Sequence, residues 1–172
     1  MSSDRGPICN IDEIEEESGG DDPVWGGDYK VLTPFMETNG GELGMNVTRL
    51  APGKVSCPFH THYVDDELFF VLAGTGVLRY GDTVHPVRPG DAISCPAGTG
   101  IAHQFANPGD EDFVFLGIGK NSPTEVVEYP DSGKVMVRRL GLVGTVAKAE
   151  LMAGEPEVPV IFTMIGQDEH HG

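Results

Sequence analysis

Twenty-four glycines and thirteen prolines break this 172-residue chain into short apolar runs. Only one short stretch, Val146 to Met152, keeps a helical period. Runs that short, bounded by turn residues, predict an all-β domain with tight turns. Leu43 to Leu50 alternates, with Leu43, Met45 and Val47 on one face and Asn46 and Thr48 on the other, which predicts a strand. Further extended runs are Val55 to His62, Glu67 to Leu72, Val77 to Tyr80, Val84 to Val87, Ala92 to Cys95, Ile101 to Ala106 and Phe113 to Ile118. Ala73-Gly74-Thr75-Gly76 reads as a hairpin turn, as does Asn107-Pro108-Gly109-Asp110. About eight short strands at this spacing fit a small barrel or jelly roll.

Beyond Gly119 the pattern weakens. Glu125 to Tyr129 and Lys134 to Arg138 predict one more hairpin, and Val158 to Ile165 a C-terminal strand or an arm over another subunit. Asp168 to Gly172 is expected to fray. The first twenty-odd residues are acidic and rich in Gly and Ser, the composition of a mobile arm, with Trp25 and Tyr29 among the first residues to dock. The expected organisation is an acidic arm over residues 1–24, a β-barrel domain over 25–138, and a C-terminal extension over 139–172 that packs on a partner subunit. An exposed sheet edge and apolar arms favour a homodimer.

Asp and Glu number 27 against 11 Lys and Arg, a net charge of -16. That surface repels phosphate backbones and anionic lipid, so neither nucleic acid nor membrane is an expected partner. No run approaches the roughly 20 apolar residues of a spanning helix. Met1 to Gly20 lacks the basic and apolar regions of a secretory signal. Three cysteines are too few and too scattered for a disulfide framework, so a reducing cytoplasm is the expected location.

Chemistry concentrates in His60-Thr61-His62, Glu67 and His103. On a strand, positions i and i+2 share a face, so His60 and His62 aim both imidazoles at one point. Glu67 is off-parity with that pair, and Tyr63-Val64-Asp65-Asp66 must bend to reset the register if it is to join them. Asp66 is the rival with matching parity. His103 follows Gly98-Thr99-Gly100, a loop with little side-chain bulk. Any one of these histidines alone reads as an ordinary core or surface residue.

Gly53, His60, His62, Glu67 and Gly74 resemble the first motif of the cupin superfamily, and Gly90, Pro96, Gly98, His103 and Asn107 resemble the second. Fifteen residues separate Gly74 from Gly90, as in small single-domain cupins. The likeness covers about Leu43 to Ile118. Six residues instead of five separate Gly53 from His60, and four instead of two separate Gly98 from His103; both insertions fall in turns. The resemblance implies a cupin-type β-barrel in which His60, His62, Glu67 and His103 bind one divalent transition metal. Three imidazoles and one carboxylate suit iron, manganese, nickel or zinc.

The implied function is a metal-dependent enzyme of dioxygenase or isomerase type, acting on a small polar molecule in the barrel. A non-catalytic binding or sensor barrel is the alternative, and a storage or scaffold role with a structural metal the third. Sulfonium-cleaving cupin lyases carry a tyrosine where this chain has Phe69. Tyr63 and Asp66 are the candidates for a general base. Cys57 and Cys95 read as small buried apolar groups, with a redox pair or sulfur ligand as the other reading. Arg49 reads as half of a surface ion pair, or as a contact for a substrate carboxylate. His85 reads as solvated. Phe69 and Phe105 share faces with the expected ligands.

Overall fold

The computed structural model describes residues 6–165. The described residues form twelve strands, two short α-helices and two single turns of 3-10 helix. The strands are β1 (Asp28–Val31), β2 (Leu43–Leu50), β3 (Thr61–His62), β4 (Glu67–Ala73), β5 (Gly76–Tyr80), β6 (Thr83–Val87), β7 (Ala92–Cys95), β8 (His103–Ala106), β9 (Phe113–Lys120), β10 (Val126–Tyr129), β11 (Lys134–Val137) and β12 (Leu142–Thr145). The α-helices are α1 (Pro34–Thr38) and α2 (Val160–Ile165).

All strand pairing is antiparallel, in sheets of order β1-β2-β9-β4-β7, β12-β11-β10-β3 and β6-β5-β8. The fold is of the jelly-roll type, and the three sheets do not join into one closed hydrogen-bonded ring. A core of Leu50, Val71, Leu78, Val87, Phe105, Phe113 and Phe115 fills the space between the five-stranded and three-stranded sheets. Phe105 and Phe115 stack at 4.8 Å, and Phe69 meets Phe105 edge-on at 4.9 Å.

Two predicted hairpins are crossovers between sheets. β4 pairs with β7 and β9, and β5 with β6 and β8, so the chain changes sheets at Gly74. Gly74 has φ +68°, and a Cβ there would run into the Asp112 carbonyl oxygen. The turn thus packs against the start of β9, where a side chain has no space. The turn after β8 does the same: Asn107 donates from its amide to the Leu50 and Glu111 carbonyls and carries the chain across to β9. The β10–β11 hairpin forms as expected.

Val55 to His62 is less regular than its sequence suggests, with bridges at Val55 and His60 and a ladder only over Thr61–His62. Val146 to Met152 forms no helix. Val160–Ile165 is helical, beginning directly after Pro159, whose ring fixes φ near the helical value. Its β-branched composition matches a strand as well as a short helix, and periodicity over six residues does not separate them. Asp168 to Gly172 lies outside the described residues. The N-terminal segment docks earlier than Trp25: Glu17 exchanges backbone hydrogen bonds with Tyr29, and the Glu16 carboxylate pairs with Arg49 at 2.7 Å. Arg49 also pairs with Asp28 and Asp112, so it is an ion-pair hub. His85 shares a 2.8 Å hydrogen bond with Thr83. Among the described residues no helix is long and apolar enough to cross a membrane.

Candidate metal centre

β3, β4 and β8 bring the four expected residues together. His60 and His103 exchange backbone hydrogen bonds across an isolated bridge, which fixes the two side chains beside each other at 4.5 Å between ring centroids. His62 lies two residues along on the same face. One ligand atom from each of His60, His62, Glu67 and His103 falls within 4.8 Å of all the others, an arrangement that can hold a metal ion.

The bend between His62 and Glu67 is held by buried acids. Glu125, fully buried, accepts the backbone N–H groups of Tyr63 and Val64 on one oxygen and of Asp65 on the other. Asp65, 1% exposed, accepts the Ser122 N–H and pairs with Arg138 at 2.7 Å. The Tyr63 N–H is shared with the Val126 carbonyl, while Val64, Asp65 and Ser122 donate to the two carboxylates, and the bend so held places Glu67 on the histidine face. The off-parity spacing of His62 and Glu67 shows that such a bend is needed. Nothing in the local sequence marks Glu125, some sixty residues away, as the group that holds it.

His62 Nε2 and His103 Nε2 lie 3.1 and 3.0 Å from Glu67 Oε2. All three atoms are nevertheless buried without a partner in hydrogen-bonding geometry. Buried polar atoms left unpaired are costly, and a shared cation satisfies all three at once. His60 Nδ1 sits 2.8 Å from the Pro58 carbonyl, which only accepts, so Nδ1 carries the proton and Nε2 presents its lone pair. His62 Nδ1 faces Glu125 at 3.8 Å.

Burial, reinforced by the charges of His103 and His62, pushes the His60 pKa down to about 4, which keeps it a neutral donor. Burial also works against the charged form of His62, but the Glu67 carboxylate, with Glu125 and Asp65 behind it, outweighs that and raises its pKa. For Glu67, burial opposes ionisation, yet His103 and His62 together hold it below the usual carboxylate range. Burial raises the Cys57 thiol to about 11 and Cys95 to about 12, so both stay protonated. Cys57 Sγ lies 3.6 Å from His60 Nδ1, on the side away from the free lone pair.

The cluster opens on a cavity of about 460 Å³. Phe69 and Phe105 form apolar wall, and Asn46 and Thr48 of β2 point inward beside them. Gly117 makes room: a Cβ there would stand 2.7 Å from Asn46 Oδ1 and 3.4 Å from the Phe69 ring. Lys120 and Arg138 also line the cavity. Tyr63 and Asp66 do not. Tyr63 is 54% exposed and donates its hydroxyl to Glu128, and Asp66 accepts the Ala97 N–H, securing the loop that precedes His103.

Residues 46–119 match the family model described as a cupin domain. The chain belongs to the cupin superfamily. A cupin-superfamily sugar phosphate isomerase from Silicibacter pomeroyi superposes with TM-score 0.67 at 29% identity, covering 83% of this chain and 98% of that one. An Acidithiobacillus ferrooxidans structure reaches 0.68 at 26% identity, covering 81% and 92%. This cupin is also 31% identical over 130 residues to a glucose-6-phosphate isomerase from Pyrococcus abyssi, covering 69% of this chain and 66% of the relative. Over 70 residues it is 31% identical to an oxalate-binding protein from Thermotoga maritima, covering 41% and 55%. A similar isomerase match, from Thermococcus onnurineus, spans 56% of its length, so this chain covers only part of the curated relatives it matches.

Proposed function

We propose that this cupin is a metal-dependent isomerase acting on a small phosphorylated sugar. The observation that carries the reading is the cluster of three imidazoles and one carboxylate at the inner end of a cavity whose wall is partly polar and carries two cations. Relatives named as sugar phosphate isomerases favour it over an oxygenase.

His60, His62, Glu67 and His103 would hold a divalent ion, which would supply Lewis-acid charge to a proton transfer beside a carbonyl. The chain's own residues do the rest. Asn46 and Thr48 offer hydrogen-bonding groups to sugar hydroxyls. Phe69 and Phe105 exclude water from one side, which strengthens each polar contact on the other. Arg138 and Lys120 match an anionic end. Asp65 orients the guanidinium by binding one of its terminal nitrogens, which leaves the others for a phosphate oxygen.

The test follows interconversion of aldose and ketose phosphates, glucose 6-phosphate first, by NMR in D2O. The protein is loaded in turn with iron, manganese, nickel or zinc. Conversion with deuterium entering at the carbon next to the carbonyl is expected. His60→Ala and His103→Ala should abolish both turnover and metal stoichiometry. One metal per chain retained in both variants would overturn the ligand assignment. Tight binding of oxalate or sugar phosphate to loaded protein, with no conversion, would replace the isomerase by a binding barrel.

A further inference from the structure

The inner face of β9 changes character halfway along. Its inward positions are Phe113, Phe115, Gly117 and Gly119; the first two belong to the core, and the two glycines line the cavity. The strand register extends this into rows across β2, β9 and β4. Thr48, Phe115 and Val71 form one row, Asn46, Gly117 and Phe69 the next, and Gly44, Gly119 and Glu67 the last. From Glu67, the carboxylate of the cluster, the row crosses β9 and β2 over glycine alone.

The backbone does not ask for these glycines. Gly44, Gly117 and Gly119 all lie outside the left-handed region that favours glycine. Glycine inside a strand weakens it without such a need, and marks a place where a ligand or another backbone comes close. No backbone packs tightly on Gly117 or Gly119. A Cβ on Gly119 would make only ordinary contacts, the nearest 3.4 Å to Glu67 Cγ, and one on Gly117 would displace the tip of Asn46 at 2.7 Å. The row closes at Gly44, where Asn121 Nδ2 stands 2.7 Å from the Cβ position. Lys120 lines the cavity beside Asn121, as does Arg138, which donates to the Ser122 carbonyl at 2.8 Å. At the opposite end, Glu67 Oε2 and His103 Nε2 are buried without partners, and His103 is only 2% exposed.

We infer that Gly117 and Gly119 are specificity-determining residues, which keep open a trough between Glu67 and Asn121 where a phosphorylated polyhydroxy chain lies extended. The inference rests on the sugar phosphate reading above and adds which residues select the substrate, and by what property. Two strand spacings separate Glu67 from Gly44, about 10 Å in all. The ends of the trough differ in chemistry. Glu67 and His103 present unpartnered atoms at the metal end, and Asn121, Lys120 and Arg138 offer donors and positive charge to a phosphate at the other. The glycine floor between them carries no side chain, so selection there is by length. A long chain reaches both ends at once, and a short one reaches only one.

Calorimetry with phosphorylated polyols, which have no carbonyl and are not converted, tests this on the full chain loaded with zinc. The series is glycerol 3-phosphate, erythritol 4-phosphate, ribitol 5-phosphate and sorbitol 6-phosphate. Affinity of the wild type is expected to rise about ten-fold or more along it. Gly117→Ala and Gly119→Ala should each weaken the two longest about ten-fold and leave glycerol 3-phosphate within about two-fold. Zinc content and a far-ultraviolet spectrum equal to wild type identify a variant as folded, and either variant carries the test should the other misfold. Failure of both to fold shows that the glycines serve the sheet, and overturns the inference. So does a wild type that binds all four alike, or variants that weaken none of them or all four equally. Loss confined to Gly117→Ala, with Gly119→Ala folded, assigns the effect to the displaced Asn46 and overturns the trough. A loaded wild type that binds none of the four overturns the sugar phosphate reading itself, which every other outcome leaves standing.

Discussion

Glu125 has no exposed surface, yet both its carboxylate oxygens are occupied, by the N–H groups of Tyr63, Val64 and Asp65. A single side chain therefore closes the bend that brings Glu67 round to the histidines, and it also stands behind His62 Nδ1. Glu125→Gln is nearly isosteric but replaces one acceptor oxygen with an NH2 group. Whichever way the amide turns, a backbone N–H then meets a donor. Leaving such a group unpaired costs about 1–3 kcal/mol, which lowers the melting temperature by roughly 2–12 °C at this chain length. Metal affinity is expected to fall about 10–100-fold, the usual effect of disturbing a group behind the liganding residues, here through the bend that carries Glu67 to the histidines. Competition titration against a chelator measures it, and an unchanged affinity would show that the bend carries Glu67 there without this carboxylate.

At the scale of elements, the crossover between β4 and β5 turns on Gly74, where a left-handed backbone and the Asp112 carbonyl exclude a side chain together. Gly74→Ala is expected to destabilise by about 3 kcal/mol or more, since the obstacle is backbone and cannot step aside. Gly133, also at positive φ but with nothing near its Cβ position, should lose no more than about 1–2 kcal/mol as alanine. Chemical denaturation of both variants makes the comparison. The same turn marks the limit of what the sequence discloses. Glycines announce that the chain reverses there, and they do so equally for a hairpin and for a passage between sheets; only the pairing of β4 with β9 and of β5 with β8 distinguishes them. His60 and His62 are legible because strand parity is local. Glu125 is not, because its partners lie sixty residues away. Nor does the alternation along β2 disclose its inward side: Asn46 and Thr48 face the cavity, since that wall is polar, and Met45 and Val47 face out.

For the molecule as a whole, the cluster is a place where stability and metal occupancy are one quantity. His62 Nε2, His103 Nε2 and Glu67 Oε2 are buried without hydrogen-bond partners, so an ion that binds only the folded chain adds its binding free energy to folding. At a thousand-fold excess over its dissociation constant that is about 4 kcal/mol, or roughly 8–16 °C in melting temperature. Protein stripped by chelator should melt lower by that amount and recover on addition of the single metal that fits best. His60→Ala should show a much smaller difference between stripped and loaded samples. Acidity offers a competing cause, because a dication also relieves the repulsion within a chain of charge -16. Salt separates the two. Molar NaCl screens the exposed carboxylates but barely reaches buried imidazoles, so it should raise the melting temperature of stripped and loaded protein alike and leave the gap between them open. A gap that closes in salt would assign the stabilisation to the surface instead of the cluster.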